Sequence, residues 1–518
     1  MIKREKKLLE TYTVYSEEIP IVVEIWSIPE EFVPIYYIRM PVIESATRTI
    51  LENLKREIVA RTKVEITEIT DPRKKIEAKK KFRKEAEKIL EQRIPHVTPE
   101  QKKILVGYLV QEMLGLGVLE VFLNDPNLEE ITVNCADEPI WVYHSKYGWL
   151  KTPIYMKDDR EIRHYASQIA RECGRQITTL TPLLDAVLYT GDRANATLYP
   201  ISTKGSTITI RKFARNPWTV THFLERNTLD KEVASFLWLC MQYEVSMLIA
   251  GGTASGKTSL MNVIACFIPP NQRVITIEET RELQLPKWLQ WVPLLARPPN
   301  PEGEGEVSML DLMVNSLRMR PDRVLVGEIR RKEEAEVLFE AMHTGHAAYA
   351  TFHAERAKQV LRRLSNPPIS IPDIMLESLH LIVIMYRQRK LGIRRVLEIC
   401  EVLPKRGRET KVELNTLYMW DAKHDEVIGV NRRVRLKEDI ELHTGLTERE
   451  VDEDLREKQK VLDYLLSHQI KSVDAVGKVI CEYYRDKEYV LDVVKKNRDP
   501  AEILGEELVE KEKWVETV

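Results

Sequence analysis

No excess of charge, no clustered cysteine and no unbroken apolar run marks this chain of 518 residues. Lysine and arginine number 78 against 80 aspartate and glutamate, a formal net charge of -2, so nothing global advertises nucleic acid as the partner. The six cysteines, Cys135, Cys173, Cys240, Cys266, Cys400 and Cys481, form no CxxC pair and have no histidine at ligand spacing. That argues against a zinc module or a disulfide framework. Met1 to Glu10 is highly charged with no apolar stretch behind it, so the expectation is a cytoplasmic chain without a signal peptide. The most apolar segment, Ile19 to Ile38, is interrupted by Glu24, Glu30 and Glu31. No segment is therefore predicted to cross a bilayer, and membrane association is expected to be peripheral or through a partner.

What is present begins with Met247-Leu-Ile-Ala-Gly251-Gly252-Thr253-Ala254-Ser255-Gly256-Lys257-Thr258-Ser259, an apolar strand running into a Gly-x-x-x-x-Gly-Lys-Thr loop. Gly251 and Gly256 permit a tight loop whose amides converge on phosphate, and the following helix adds partial positive charge. Lys257 reaches the β- and γ-phosphates, while the Thr258 hydroxyl is suited to hold Mg²⁺. The pattern predicts a nucleotide-binding site of an NTPase and leaves open which one.

Around it the chain divides into four expected parts. Residues 1–97 read as a charged, partly helical extension for docking to a partner or membrane, although its basic block Lys79 to Lys84 is interleaved with Glu85, Glu87 and Glu91 as in an ordinary solvated helix. Residues 98–216 open on Thr98-Pro-Glu-Gln101, a capping-box pattern, and continue as an α+β domain. Residues 217–404 alternate apolar strands with helices, which predicts a parallel sheet covered on both faces, ending in an antiparallel hairpin. Residues 405–518 read as mostly helical.

Two acidic boxes follow the phosphate loop. Thr276-Ile-Glu278-Glu279-Thr-Arg-Glu282 and Arg323-Val-Leu-Val-Gly327-Glu328-Ile-Arg330 each end an apolar strand in carboxylate. Ligands of open α/β sheets bind at such strand ends, so Glu278 and Glu328 are the candidates for activating water and organising Mg²⁺. Glu279 and Glu282 are equally consistent with capping the next helix. A third box, Thr344-Gly-His346-Ala-Ala-Tyr-Ala-Thr-Phe-His353, flanks a predicted strand with two histidines, one of which is expected to sense the γ-phosphate.

These four boxes occur in an order that resembles the secretion-superfamily ATPases of type II secretion, type IV pilus assembly and archaellum assembly. The likeness covers about residues 98–403, and the long N-terminal part and the Leu317-Arg-Met-Arg-Pro-Asp322 segment look like the archaeal branch. Glu279 is a departure, because the family often has Asp there. The resemblance implies an α/β, RecA-like P-loop ATPase core, preceded by a PAS-like α+β domain and the helical, charged extension. It also implies a homohexamer that uses ATP and Mg²⁺, with metal ligation at Thr258 and Glu328. Arginines completing the site are to be sought at Arg193, Arg211 and Arg318. The partners implied are a polytopic membrane platform protein and, indirectly, pilin-like subunits of a filament or pseudopilus. A conjugation-type ring acting on nucleic acid is the rival reading. The near-neutral charge and the lack of a basic, aromatic-interleaved segment weigh against it, and no nucleic acid is expected.

Overall fold

A computed structural model describes residues 6–509 except 42, 44, 62–71, 95, 189, 214–215, 300–302, 389 and 406–410. The chain folds as two compact units, Met1–Arg215 and Asn216–Val518. Each is built on a nine-stranded sheet.

The first unit contains β1 (Lys7–Ser16), β2 (Ile19–Ser27), β3 (Ile35–Arg39), β4 (Leu128–Val133), β5 (Pro139–His144), β6 (Gly148–Tyr155), β7 (Leu183–Val187), β8 (Arg193–Thr197) and β9 (Thr207–Arg211). Their order is β1-β2-β3-β6-β5-β4-β9-β8-β7. Every neighbouring pair is antiparallel except β3 with β6, which join in parallel at a single bridged pair, Ile35 with Lys151. Beneath this seam the side chains are continuous, since Val14, Val23, Ile25 and Tyr36 share one core with Leu119, Phe122 and Ile131. The hydroxyls of Tyr12 and Tyr36 both donate to the Asp125 carboxylate, at 2.7 and 2.5 Å.

The expected extension 1–97 is thus no separate body. Its strands complete the sheet of residues 128–211, and its helix Pro72–Arg93 packs Phe82, Ala86 and Ile89 on Leu105 and Leu109 of the helix Pro99–Leu114. Apolar strands placed far from their partners in sequence read as a detached segment because their pairing is non-local. The Thr98 capping box is formed as read: the Thr98 hydroxyl accepts from the Gln101 amide, and the Gln101 side chain accepts from the Thr98 amide. In the basic block, Lys79 and Arg83 pair with Glu17 and Glu18 of the β1–β2 turn.

The second unit contains β10 (Met247–Gly251), β11 (Arg273–Glu278), β12 (Gln290–Leu295), β13 (Arg323–Val326), β14 (Ala347–Phe352), β15 (Leu381–Gln388), β16 (Ile393–Lys405), β17 (Lys411–Asp421) and β18 (Glu426–Gly429). Their order is β12-β11-β13-β14-β10-β15-β16-β17-β18. The first six are parallel and the last three antiparallel. This is the α/β sheet expected of a RecA-like core, with the phosphate loop leaving β10, the strand between β14 and β15.

Two sequence expectations change. Strand β12 lies at the sheet edge and carries Pro293, which an edge tolerates but which breaks a strand signal in sequence. Residues 405–518 are not a separate helical region either, because β16 to β18 extend the sheet. The helices after them pack onto the helix Lys231–Gln242 and share its core: Trp238 stacks on Phe267 with centroids 5.3 Å apart and donates to the Tyr484 hydroxyl at 2.9 Å. No helix among the described residues is long and apolar enough to cross a membrane.

Candidate nucleotide site

Strand β10 is buried along its whole length, so the loop after it starts from a fixed point. A side chain at Gly251 has no room: its Cβ would lie 2.4 Å from the Met385 carbonyl oxygen and 2.4 Å from Ser255 Oγ. Gly256, at φ 97°, takes the left-handed turn that starts the helix Lys257–Ala265, and Ala254 holds φ 58°. A left-handed alanine is strained, and such strain gathers where a loop is shaped for a ligand. The Ser255 hydroxyl is buried and has no hydrogen-bond partner among the described residues. Lys257 curls back over its own loop, Nζ donating to the carbonyls of Gly251 at 3.3 Å and Gly252 at 3.2 Å. Burial holds its pKa below the ordinary value, with Glu328 opposing.

These features fit a phosphate group. Three glycines keep the cradle open, a buried hydroxyl waits for a partner, and the first-turn amides of a helix have no intrahelical acceptor. Thr253 and Ala254 form the exposed tip of the loop, while Thr258 and Ser259 stand half-buried in the first helical turn. The Thr258 hydroxyl and the Glu328 carboxylate are the oxygen donors suited to Mg²⁺.

The carboxylates sit on the neighbouring strand ends. Glu278 closes β11, is only 3 % exposed, and its Oε1 accepts from the amides of Glu282 at 2.9 Å and Leu283 at 3.0 Å. Burial pushes its pKa up to about 7 despite those two donors. Gly327 keeps this carboxylate close to the Glu328 strand end, since Glu278 Cγ lies 3.3 Å from the Cβ that Gly327 lacks. Glu328 Oε2 accepts from Arg330 Nε at 2.8 Å and lies 2.6 Å from its NH2, while Oε1 lies 3.2 Å from His353 Nε2. Burial and Lys257 lower the His353 pKa, with Glu328 opposing.

Lys257, Glu328 and His353 are therefore brought together at the C-terminal ends of β10, β13 and β14. His346 is not among them. It precedes β14, its Nδ1 3.2 Å from the Thr344 hydroxyl, and the six residues of that strand set the two histidines about 20 Å apart. Arg318 is exposed in the short turn Leu317–Met319. Arg193 and Arg211 belong to the first unit, where they are directly paired across β8 and β9 on the exposed face. Arg193 also pairs with Asp185 at 3.2 Å, and Arg211 faces Glu130.

Sequence reasoning passed over Arg330, although it stands two residues after Glu328 in the same box. Its guanidinium joins Glu328 to Glu279, with NH1 donating to Glu279 Oε2 at 2.6 Å. Arg394 of β16 was missed too; its Nε donates to the Ala254 carbonyl at 3.2 Å, which ties the antiparallel extension of the sheet to the phosphate loop.

The chain is similar to several known proteins. The family model described as type II/IV secretion system protein matches residues 112–464. An uncharacterized protein of Methanocaldococcus jannaschii is 34% identical over 399 residues, covering 75% of this chain and 71% of the relative. The type IV secretion system protein PtlH of Bordetella pertussis is 32% identical over 314 residues, covering 54% of this chain and 91% of PtlH. Among solved structures, the VirB11 ATPase of the Brucella suis type IV secretion system, in complex with sulphate, aligns at 25% identity with a TM-score of 0.28, over 54% of this chain and 91% of that one.

Proposed function

This chain belongs to the type II/IV secretion system protein family, and from that premise we propose that it hydrolyses ATP to drive assembly or secretion of pilin-like subunits. The observation that carries the reading is the convergence of Lys257, Glu328 and His353 at three adjacent strand ends beside an open phosphate cradle. In this reading the loop amides, Ser255 and Lys257 bind the phosphates. Thr258 and Glu328 would hold Mg²⁺, which supplies charge neutralisation at the β- and γ-phosphates. Glu278 takes the proton of the attacking water, and its raised pKa suits a base working near neutrality. His353 reports the γ-phosphate to Glu328. What favours it over His346 is the strand end that each occupies.

The arginines act between copies in a homohexamer. Arg193 and Arg211 support this, because they stand side by side on the exposed face of the first unit, where one anion of another copy can meet both. The ring works at the inner face of the membrane, on a polytopic platform protein, with residues 1–97 supplying part of the docking face. Charge reversal at exposed Lys80 and Lys84 should then abolish secretion or filament assembly in cells while leaving hydrolysis in solution intact.

Phosphate release by the purified protein tests the core of the reading. Lys257→Ala should lose both nucleotide binding and turnover, and Glu278→Gln should keep binding and lose turnover. If Glu278→Gln hydrolyses at the wild-type rate while Glu328→Gln does not, the base is Glu328. If hydrolysis per mole does not rise with protein concentration as rings form, the arginines do not act between copies.

A further inference from the structure

Arg330 divides its guanidinium between two carboxylates of unequal standing. Nε and NH2 are held by Glu328, whose side chain is 19% exposed and which also meets His353. NH1 is held by Glu279, whose side chain is 47% exposed and makes no other ion pair among the described residues. The first pairing is sheltered, whereas the second is open to water and therefore weak and readily exchanged.

Around this guanidinium the positive groups crowd one another. Arg330 and Lys257 each lower the His353 pKa, and Arg330 lowers that of Lys257. Burial opposes the charge on Arg330, but Glu328 and Glu279 hold its pKa above the ordinary value. Among the described residues, the carboxylate that compensates NH1 of Arg330 is that of Glu279. Nucleoside di- and triphosphates both carry the β-phosphate that the loop amides and Lys257 serve, but only the triphosphate brings the γ-phosphate as a further anion.

We propose that Arg330 is the group that distinguishes a nucleoside triphosphate from a diphosphate, and that Glu279 occupies its NH1 in the empty site and yields it to the γ-phosphate. The inference rests on the reading of the site as an ATP site. It also accounts for a glutamate at position 279, because glutamate reaches Arg330 from β11 across to the end of β13, and aspartate, one methylene shorter, reaches less far. Glu279 sets the threshold of the switch, and Arg330 carries the recognition.

The test is direct binding to the full chain of Mg²⁺-ADP and of a β,γ-imido analogue of ATP, measured by calorimetric titration. Arg330→Gln should weaken the analogue on the order of tenfold or more, as loss of a charge-assisted hydrogen bond does, and change ADP affinity less than twofold. Arg330→Lys should recover part of the difference. Glu279→Gln should tighten the analogue severalfold without changing ADP, and the double variant should behave as Arg330→Gln alone. Equal losses for both nucleotides in Arg330→Gln, or an unchanged analogue-to-ADP ratio in Glu279→Gln, would overturn the proposal. If Arg330→Gln does not fold, the Glu279→Gln ratio decides. A wild-type chain that binds neither nucleotide defeats the ATPase reading itself, whereas normal binding with unmoved ratios defeats this inference alone.

Discussion

Strands β8 and β10 are both five residues long, yet burial alternates residue by residue along Arg193–Thr197 and is complete along Met247–Gly251. The antiparallel sheet leaves one face open, so polar side chains such as Arg193 and Arg211 stand on it. The parallel sheet is covered on both faces, and consecutive residues of β10 enter different cores, Leu248 one and Ile249 the other. Chemistry in the second unit is therefore confined to strand ends, where the backbone emerges from cover. In the first unit it can lie anywhere along an exposed face.

The largest expected effect tests that contrast. Leu248→Ala and Ile249→Ala should each destabilise the second unit by about 2 to 5 kcal/mol. In β9, Ile210→Ala should have a similar effect on the first unit, but its neighbour Thr209→Ala should change stability by no more than about 0.5 kcal/mol. Denaturant unfolding with unit-specific probes measures all four. A neutral Leu248→Ala would break the comparison.

Next comes Glu278. Its pKa rises from 4.5 to about 7 in the fold, so between those values the folded chain keeps a proton that the unfolded chain has released. Stability contributed by this group is full below pH 4.5 and is lost as pH rises through 7, by about 3 kcal/mol in all. Glu278→Gln should flatten that decline. Hydrolysis, which needs the carboxylate, should rise over the same window in the wild type, so stability and turnover move in opposite directions. A pH profile of turnover that is flat from about 6 to 8 removes Glu278 as the base.

Gly251→Ala should cost about 1 to 3 kcal/mol through overpacking against Met385 and Ser255 and should abolish nucleotide binding. A stable variant that still binds would mean that the loop yields more than its buried anchor suggests. The smallest effect belongs to the open face. Arg211→Gln removes the charge that faces the half-buried Glu130 and should lower the stability of the first unit by a few tenths of a kcal/mol, about 0.2 to 1 at most, while slowing hydrolysis. Hydrolysis at the wild-type rate would make Arg211 an ordinary structural residue.

The phosphate loop was legible because its chemistry is local: one apolar strand, one turn and one helix follow directly on one another. Glu278 and Glu328 were legible as strand ends for the same reason. Their surroundings were not. Glu278 is fastened by the amides of Glu282 and Leu283, which no residue pattern announces, and the Arg330 partner Glu279 lies 51 positions earlier. The two histidines look equivalent in sequence until β14 is bounded and puts them at opposite ends. Strand β17 does carry strand-like alternation in Lys411–Asn415, but it and the short β18 stand before long charged helices, and the helical reading of residues 405–518 passed over them. Likewise β1 to β3 could not be assigned to a sheet whose other strands begin at Leu128.

The same sheet has a mechanical side. Its strands β1, β2 and β3 are laced to one another along their lengths but meet β6 at the single Ile35–Lys151 bridge, with the Lys151 amide on the Pro34 carbonyl at 3.2 Å beside it. Under tension it is two ribbons riveted at one point. A pull on the N-terminal ribbon would be borne by what lies under the seam: the Tyr36 ring against Phe122, at 5.9 Å between centroids, and the two tyrosine hydroxyls on Asp125. Traction would thus pass from the N-terminal strands into the helix that carries Phe122, with the Lys151–Glu31 ion pair beside the bridge sharing it, more than along a ladder.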